Sequence, residues 1–320
     1  MGKALTRLSI FLIAVLVAVN VLAWNHAKTI LEFSHTGKRT GQPATLSLLE
    51  KLKVALLGVN IPRPENTRHP GDLGLAFETC RFPNGNKDTL EAWYVPARGQ
   101  RGMVILFHGY AVSKAFMLPL AKELHTLGYA TFLVDFYGSG GSTGNTTSMG
   151  YVEAEDVSAS YRFVKKNWPG PPVTLYGYSM GGAALTRAIS AFHIRPDGVI
   201  LESVFGKMLD VARNRLHSLG APGFFAGELF LFWGGIQQGF NGFRHNPGDY
   251  ASHVTCPALL LHGQQDDRVK ASDARTLYHN LKGEKEIVIF KEAGHDLKLR
   301  TDRRLWIESV KGFLARINEN

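Results

Sequence analysis

A mostly parallel α/β sheet of eight strands, with helices on both faces, is predicted for this 320-residue sequence by two patterns. Six β-rich runs, Met103–Phe107, Ala130–Val134, Val173–Tyr176, Val199–Leu201, Ala258–Leu261 and Ile287–Phe290, alternate with helical stretches. Four of the six are nearly continuous apolar, as befits strands covered on both faces. Ahead of them, Phe77–Phe82 and Thr89–Val95 flank the turn Pro83-Asn84-Gly85-Asn86, a hairpin signal. In sheets built this way, chemistry gathers beyond the carboxyl ends of the strands.

The chain opens with Lys3 and Arg7 before an apolar run from Leu8 to Trp24, broken only by Ser9 and Asn20. Its 17 residues sit at the lower limit for spanning a bilayer, and Trp24 stands where an interfacial aromatic would. Residues 1–27 read as a membrane anchor; cleavage after Ala23 as an export signal, or burial as a core helix, are the alternatives. Positive residues on the two sides balance, so orientation rests on the large soluble domain that follows. That domain is expected outside the cytoplasm.

Residues 28–70 are polar, basic and punctuated by Pro43, Pro62, Pro64 and Pro70, and read as a linker. Within it, Leu46 to Leu57 has the spacing of one amphipathic helix, lying against either the membrane or the domain. The first 70 residues hold nine Lys/Arg against three acids and so carry +6 of the net +9. A basic N-terminal part on a nearly neutral body suits a membrane-proximal segment, and no basic helix with interleaved aromatics supports a nucleic-acid partner.

The main domain is expected over residues 71–320. Its helices are expected at Ala115–Leu127, Tyr151–Asn167, Gly181–Phe192, Ser272–Leu281 and Arg303–Ile317. One connection, about residues 204–250, is too long for a simple crossover. It holds Gly220-Ala221-Pro222-Gly223-Phe224-Phe225 and Leu229-Phe230-Leu231-Phe232-Trp233, rich in Gly and aromatics. We read it as a small helical cap that binds an apolar group, the alternative being an extra helical pair on the core.

The sharpest motif is Gly177-Tyr178-Ser179-Met180-Gly181, set between the strand Val173–Tyr176 and the helical run Gly182-Ala183-Ala184-Leu185. A hydroxyl is a poor nucleophile unless exposed beside a base, and a sharp strand-to-helix turn exposes it. The following helix aims backbone N–H groups at a developing oxyanion. With these residues the chain resembles the α/β-hydrolase superfamily, in particular its serine aminopeptidase and lysophospholipase-like branch, from Phe77 to Phe313. His108-Gly109-Tyr110 matches the stretch that supplies half of that family's oxyanion hole. The resemblance therefore implies oxyanion donors at the Tyr110 and Met180 backbone amides. Asp135-Phe136-Tyr137-Gly138-Ser139-Gly140-Gly141-Ser142 matches a loop that is mainly structural in the family.

The same resemblance implies a triad acid in His262-Gly263-Gln264-Gln265-Asp266-Asp267-Arg268-Val269. Its spacing selects Asp266, with Asp267 and the strand-end Glu202 as alternatives. Gly294-His295-Asp296 follows the last strand, where the family keeps its general base. Ser179, Asp266 and His295 thus stand in the family's order of nucleophile, acid and histidine.

The implied activity is that of a serine hydrolase acting on esters or thioesters with an apolar acyl part, such as lysophospholipids or monoacylglycerols. Small-peptide hydrolysis is the alternative and would need an acid for the substrate's amine, for which the insertion offers Glu228. A non-catalytic binding protein on the same fold is the third reading. His108 and His262 are expected to hydrogen-bond loop backbone, and His125, His193 and His279 to lie in helices. No histidine pair has metal-ligand spacing and no phosphate loop is present, so neither metal nor cofactor is expected. Cys80 and Cys256 fall on strands far apart in this topology and are expected to be free thiols.

Overall fold

The computed structural model describes residues 2–41, 45–85, 88–218 and 223–319; Pro43, Asn86 and Gly220-Ala221-Pro222, singled out above, lie outside them. In chain order its helices are α1 (Gly2–Leu31), α2 (Leu48–Leu57), α3 (Leu118–Thr126), α4 (Glu153–Asn167), α5 (Met180–Phe192) and α6 (Met208–Ser218). They continue with α7 (Gly223–Gln238), α8 (Pro247–Tyr250), α9 (Ala271–Asn280), α10 (Lys298–Thr301) and α11 (Arg303–Glu319). The strands are β1 (Glu78–Pro83), β2 (Thr89–Val95), β3 (Met103–Phe107), β4 (Ala130–Asp135), β5 (Val173–Tyr178), β6 (Gly198–Glu202), β7 (Ala258–Gly263) and β8 (Lys285–Phe290). These elements divide into two compact units. One comprises Met1–Pro62 with Met208–Arg244, the other Arg63–Lys207 with His245–Asn320.

The larger unit is the expected α/β domain, an eight-stranded sheet in the order β1-β2-β4-β3-β5-β6-β7-β8. β2 pairs antiparallel with both β1 and β4, and from β4 through β3, β5, β6 and β7 to β8 every pair is parallel. Several strands reach one or two residues past the apolar runs that predict them. The hydrogen-bond ladder continues where apolarity stops, pairing Asp135 with Glu91, Tyr178 with Glu202 and Gly263 with Phe290. The extra residues are the ones with chemistry. Over one face, α11 turns Trp306, Val310, Phe313, Leu314 and Ile317 inward, a helical stripe that packs with Tyr176, Leu106 and Ile200. The predicted helix at Ala115–Leu127 begins as a 3₁₀ turn over Lys114–Met117, and α3 starts with Pro119 in its first turn, where a missing N–H costs nothing.

The loop Asp135–Ser142 is fixed by buried charge. Lys114 is fully buried, and its Nζ pairs with Asp135 and, at 2.9 Å, with Glu91. The Asp135 carboxylate also accepts from the amides of Lys114 (2.7 Å) and Gly141 (2.8 Å) and from Asn66 Nδ2 (2.7 Å). Gly140 has φ 51°, and a Cβ there would collide with that carboxylate, so the position requires glycine. Cys80 in β1 and Cys256 ahead of β7 are both free.

In the smaller unit α1 runs on to Leu31, so the segment expected to begin the linker at Lys28 is still helical. The reason is packing: Ala27, Ile30, Leu31 and Phe33 are buried. Gly234 of α7 sits against Ala27 and Leu31, and Trp24 packs edge-on against Trp233 at 5.3 Å. By length and composition α1 is able to cross a membrane, and none of its apolar window is buried. α2 starts two residues later than the periodicity predicts because Ser47 takes the cap, its Oγ accepting from Glu50 N (3.3 Å) while Glu50 Oε2 accepts from Ser47 N (2.8 Å). The insertion piece is also narrower than residues 204–250. Val204 packs against Gly182 and His245 Nε2 bonds the Met149 carbonyl (3.0 Å), which ties both flanks to the larger unit.

Asp156, fully buried in α4, accepts from Tyr137 N (2.9 Å) and Asn84 Nδ2 (3.1 Å). Burial outweighs those bonds and pushes its pKa up to about 7 from an ordinary 3.8. A raised carboxyl pKa means that the folded state holds the proton more tightly, so its stabilising contribution is present below pH ~4 and lost as pH rises through about 7. The full span is worth on the order of 4 kcal/mol. Asp156→Asn should therefore gain stability relative to the parent between pH 5 and pH 7.5. Thermal unfolding in detergent at both pH values checks this, and an unchanged difference would contradict it.

Candidate active site

Ser179 follows β5 directly and opens α5, with φ 51° and ψ −116°. That backbone is accessible only because its neighbours are small. A Cβ on Gly177 would meet the backbone of Gly181 and Gly182, and one on Gly181 would meet the carbonyls of Phe107 and His108. The turn thus lets the chain around the serine press against the end of β3, with Ser179 N donating to the Glu202 carbonyl of β6 (2.8 Å).

Three loops beyond the ends of β5, β7 and β8 converge. Ser179 Oγ lies 3.1 Å from His295 Nε2, and His295 Nδ1 lies 2.8 Å from Asp266 Oδ2. The Asp266 side chain has no exposure and that of His295 has 13%. Asp266 Oδ1 accepts from the amides of Arg268 (3.0 Å) and Val269 (2.9 Å). Burial opposes its charge, but the bonds from His295 and these two amides prevail and hold the carboxyl below its usual range. Of the two alternative acids, Asp267 is exposed. Glu202 is directed elsewhere, accepting from the Tyr176 hydroxyl and from Lys298 N.

The structure also brings the two expected oxyanion segments together. Gly109 lies against Tyr178 and Ser179, so close that a Cβ would stand 2.9 Å from the Tyr178 ring. Tyr110 follows it, and Met180 is the first residue of α5, whose leading N–H groups have no acceptor within the helix. His108 behaves as expected of a structural residue. Its Nε2 accepts from Phe136 N (3.2 Å), which leaves Nδ1 to donate to the Gly109 carbonyl (2.8 Å), and burial depresses its pKa. His262 lines a small cavity with Leu201, Val204, Leu260 and Leu277, and the backbone its ring meets is that of Val269, in the loop beyond β7. His193 caps α5 in the left-handed region rather than lying within it. Among the described residues, no group of three or more His, Cys, Asp or Glu is placed to hold a metal ion.

Sequence reasoning missed the residues that hold the histidine loop. Three consecutive carbonyls there are each occupied by a side chain. The Tyr178 hydroxyl donates to the His295 carbonyl. Lys298 Nζ donates to those of Gly294 (2.7 Å) and Asp296 (2.6 Å). Lys298 is fully buried, and burial lowers its pKa. Its own amide is held by Glu202, whose pKa burial raises. Nothing in the spacing of Gly294-His295-Asp296 announces this; the one sequence signal is a lysine set between two leucines, Leu297 and Leu299, just beyond the histidine.

Comparison with known proteins follows this geometry. A family model described as serine aminopeptidase, S33, matches residues 98–216. The chain is 28% identical over 192 residues to lysophosphatidylserine lipase ABHD12 of Danio rerio, covering 58% of this chain and 49% of that protein. It is also 28% identical over 195 residues to the protein of that name from Mus musculus, covering 59% and 48%. The chain thus spans about half the length of the curated relatives it matches. Among solved structures, an esterase of Pyrococcus furiosus, Pf2001, superposes with a TM-score of 0.68 at 24% identity, over 80% of this chain and 97% of that one, and shows the same fold.

Lys298→Met keeps the length of the side chain and removes both donors to the loop. Displacing the imidazole by about 1 Å costs up to ~100-fold in rate. The variant should therefore be labelled by a fluorophosphonate at least ~10-fold more slowly than the parent. Equal labelling rates at matched thermal stability would show that the loop holds itself.

Proposed function

Because the chain belongs to the α/β-hydrolase superfamily, we propose that it is a serine ester hydrolase that cleaves lipid esters carrying an apolar acyl group through an acyl-enzyme. The observation that carries the proposal is the hydrogen-bonded chain Ser179–His295–Asp266, at 3.1 and 2.8 Å. In this reading Ser179 Oγ attacks the acyl carbonyl while His295 Nε2 takes its proton. Asp266, kept ionised by His295 and its amide donors, fixes the Nδ1–H tautomer and stabilises the imidazolium. The Tyr110 and Met180 amides hold the oxyanion, and the imidazolium returns the proton to the departing alkoxide. A water deprotonated by His295 then attacks the acyl-enzyme and releases the acid, regenerating Ser179.

The substrate class rests on the lysophosphatidylserine lipase named among the relatives and on the apolar α1. We propose α1 as a membrane anchor with the hydrolase domain outside the cytoplasm. Small-peptide hydrolysis is less well supported, since Glu228, the acid offered for a substrate amine, is ion-paired with Arg213.

Ser179→Ala should abolish fluorophosphonate labelling and ester turnover. Asp266→Asn should keep the fold and lower kcat by roughly 10⁴-fold, the cost of the wrong imidazole tautomer. A series of p-nitrophenyl esters of increasing chain length, run against aminoacyl amides, tests the substrate. Rising kcat/KM with chain length is expected, and turnover of amides alone would overturn the reading.

A further inference from the structure

Five leucines of α2 are exposed. Leu48, Leu49, Leu52, Leu56 and Leu57 are between 54% and 77% exposed, and no residue of the helix is buried. At 3.6 residues per turn, Leu48, Leu52, Leu56 and Leu49 fall within an arc of about 100°. Lys51 lies about 60° to one side of that arc and Lys53 about 40° to the other. An apolar arc bordered on both sides by lysines is the pattern of a helix lying in a membrane interface, its leucines among the acyl chains and its ammonium groups at headgroup level.

The attachment of α2 to α1 sets its level. His26 Nε2 bonds the Ala55 carbonyl (2.9 Å), and Gly58, which ends α2, packs directly on Thr29. The apolar run of α1 closes at Trp24, so at 1.5 Å per residue these contacts lie about 3 to 8 Å beyond its end. That is the depth of the headgroup layer flanking the ~30 Å hydrocarbon core. α7 also packs along α1: Trp233 bonds Asn20 (3.1 Å), and Phe232 and Ile236 of the same helix are exposed.

We propose that α2 is an interfacial helix that seats its leucine arc in the bilayer entered by α1, with Lys51 and Lys53 drawing it to anionic lipid. The proposal rests on α1 being retained as an anchor, and it gives the unit a flat, peripheral contact beside a single crossing. A second copy of the chain is the competing occupant of the leucine arc. The bilayer is favoured because α2 is tied to the end of an apolar span and because lysines, which repel across a symmetric contact, border the arc.

The test uses the full chain, with Cys80→Ala and Cys256→Ala, reconstituted into phosphatidylcholine–phosphatidylglycerol vesicles. Nitroxides are placed singly at Ile13→Cys, Leu52→Cys and Glu50→Cys. Collision with oxygen against a water-soluble nickel complex should report Ile13 deep, Leu52 shallow but within the acyl region, and Glu50 in water. Ile13 in water would overturn the anchor and α2's assignment together, while Ser179 labelling still judges the hydrolase reading on its own. Ile13 deep with Leu52 in water would leave the anchor standing and overturn only the interfacial helix. Dipolar broadening between Leu52 labels would assign the arc to a second copy instead. As a functional arm, Leu52→Glu with Leu56→Glu should lower turnover of lysophospholipid in vesicles at least ~10-fold, from lost apolar burial. Hydrolysis of a soluble short-chain ester should stay at the parent rate. Equal loss on both substrates would count against the proposal.

Discussion

A serine held at φ 51° and ψ −116° sits in backbone that non-glycine residues rarely occupy, at a cost of about 1–3 kcal/mol. Such a conformation persists only where its surroundings leave no alternative. Here the hydrogen-bond ladder binds β5 to β3 and β6 up to Gly177 and Tyr178, while α5 is packed within the larger unit. The residue between them must reverse direction within one peptide. Gly177, Gly181 and Gly182 accept the contacts that result, since each lies where a Cβ would meet other atoms. Relaxing Ser179 would require moving β5 or α5, and both are tied to the sheet.

The other two partners are held by different means. Asp266 stands in a turn whose amides point at its carboxylate, so His295 and the loop's own backbone together keep it ionised. His295 stands in a loop with little secondary structure, and buried polar side chains supply the missing rigidity. Burying Lys298 and Glu202 is expensive, since each loses hydration that the protein only partly replaces. That expense makes sense where the loop must present Nε2 to Ser179 within a few tenths of an ångström. The Lys114–Asp135–Glu91 cluster serves similarly beyond β4, where it fixes a loop without entering the site.

How much of this was legible beforehand follows from what each feature depends on. The sheet and the five main-domain helices were legible because apolar periodicity determines them, and strands ran longer where the ladder outran apolarity, as at Tyr178 and Glu202. Ser179 was legible from its strand-turn-helix setting between glycines, and Asp266 and His295 from the likeness of their strand-end stretches to those of the hydrolase family. Lys298 and Tyr178 were not, since their roles depend on which carbonyl lies within reach after folding. His262 and His108 look alike in sequence, each before a glycine at a strand end, yet the His108 ring accepts from Phe136 N while the His262 ring meets the backbone of Val269. Nor did the sequence show that α1 extends to Leu31, because Ala27 and Leu31 pack against Gly234 of α7, about two hundred residues away.

That pairing bears on why a run of 17 apolar residues can serve as an anchor. At 1.5 Å per residue it spans about 25 Å, some 5 Å short of a typical hydrocarbon core. A short span is tolerated when flanking groups settle at the interface and relieve the mismatch. With α1 as the proposed anchor, Trp24 and Trp233 would form such a pair at one end, and the Asn20 amide within the run is satisfied by protein, donating to the Leu16 carbonyl and accepting from Trp233. An interfacial α2 would hold the exit point of α1 from the side, where a lone helix is free to slide or tilt. The basic excess of the first 70 residues then has a physical place, with Lys51 and Lys53 at the level where anionic headgroups are found. A lipid ester presents its cleavable bond at that same level, so an anchor that fixes depth serves the proposed chemistry better than one that only tethers.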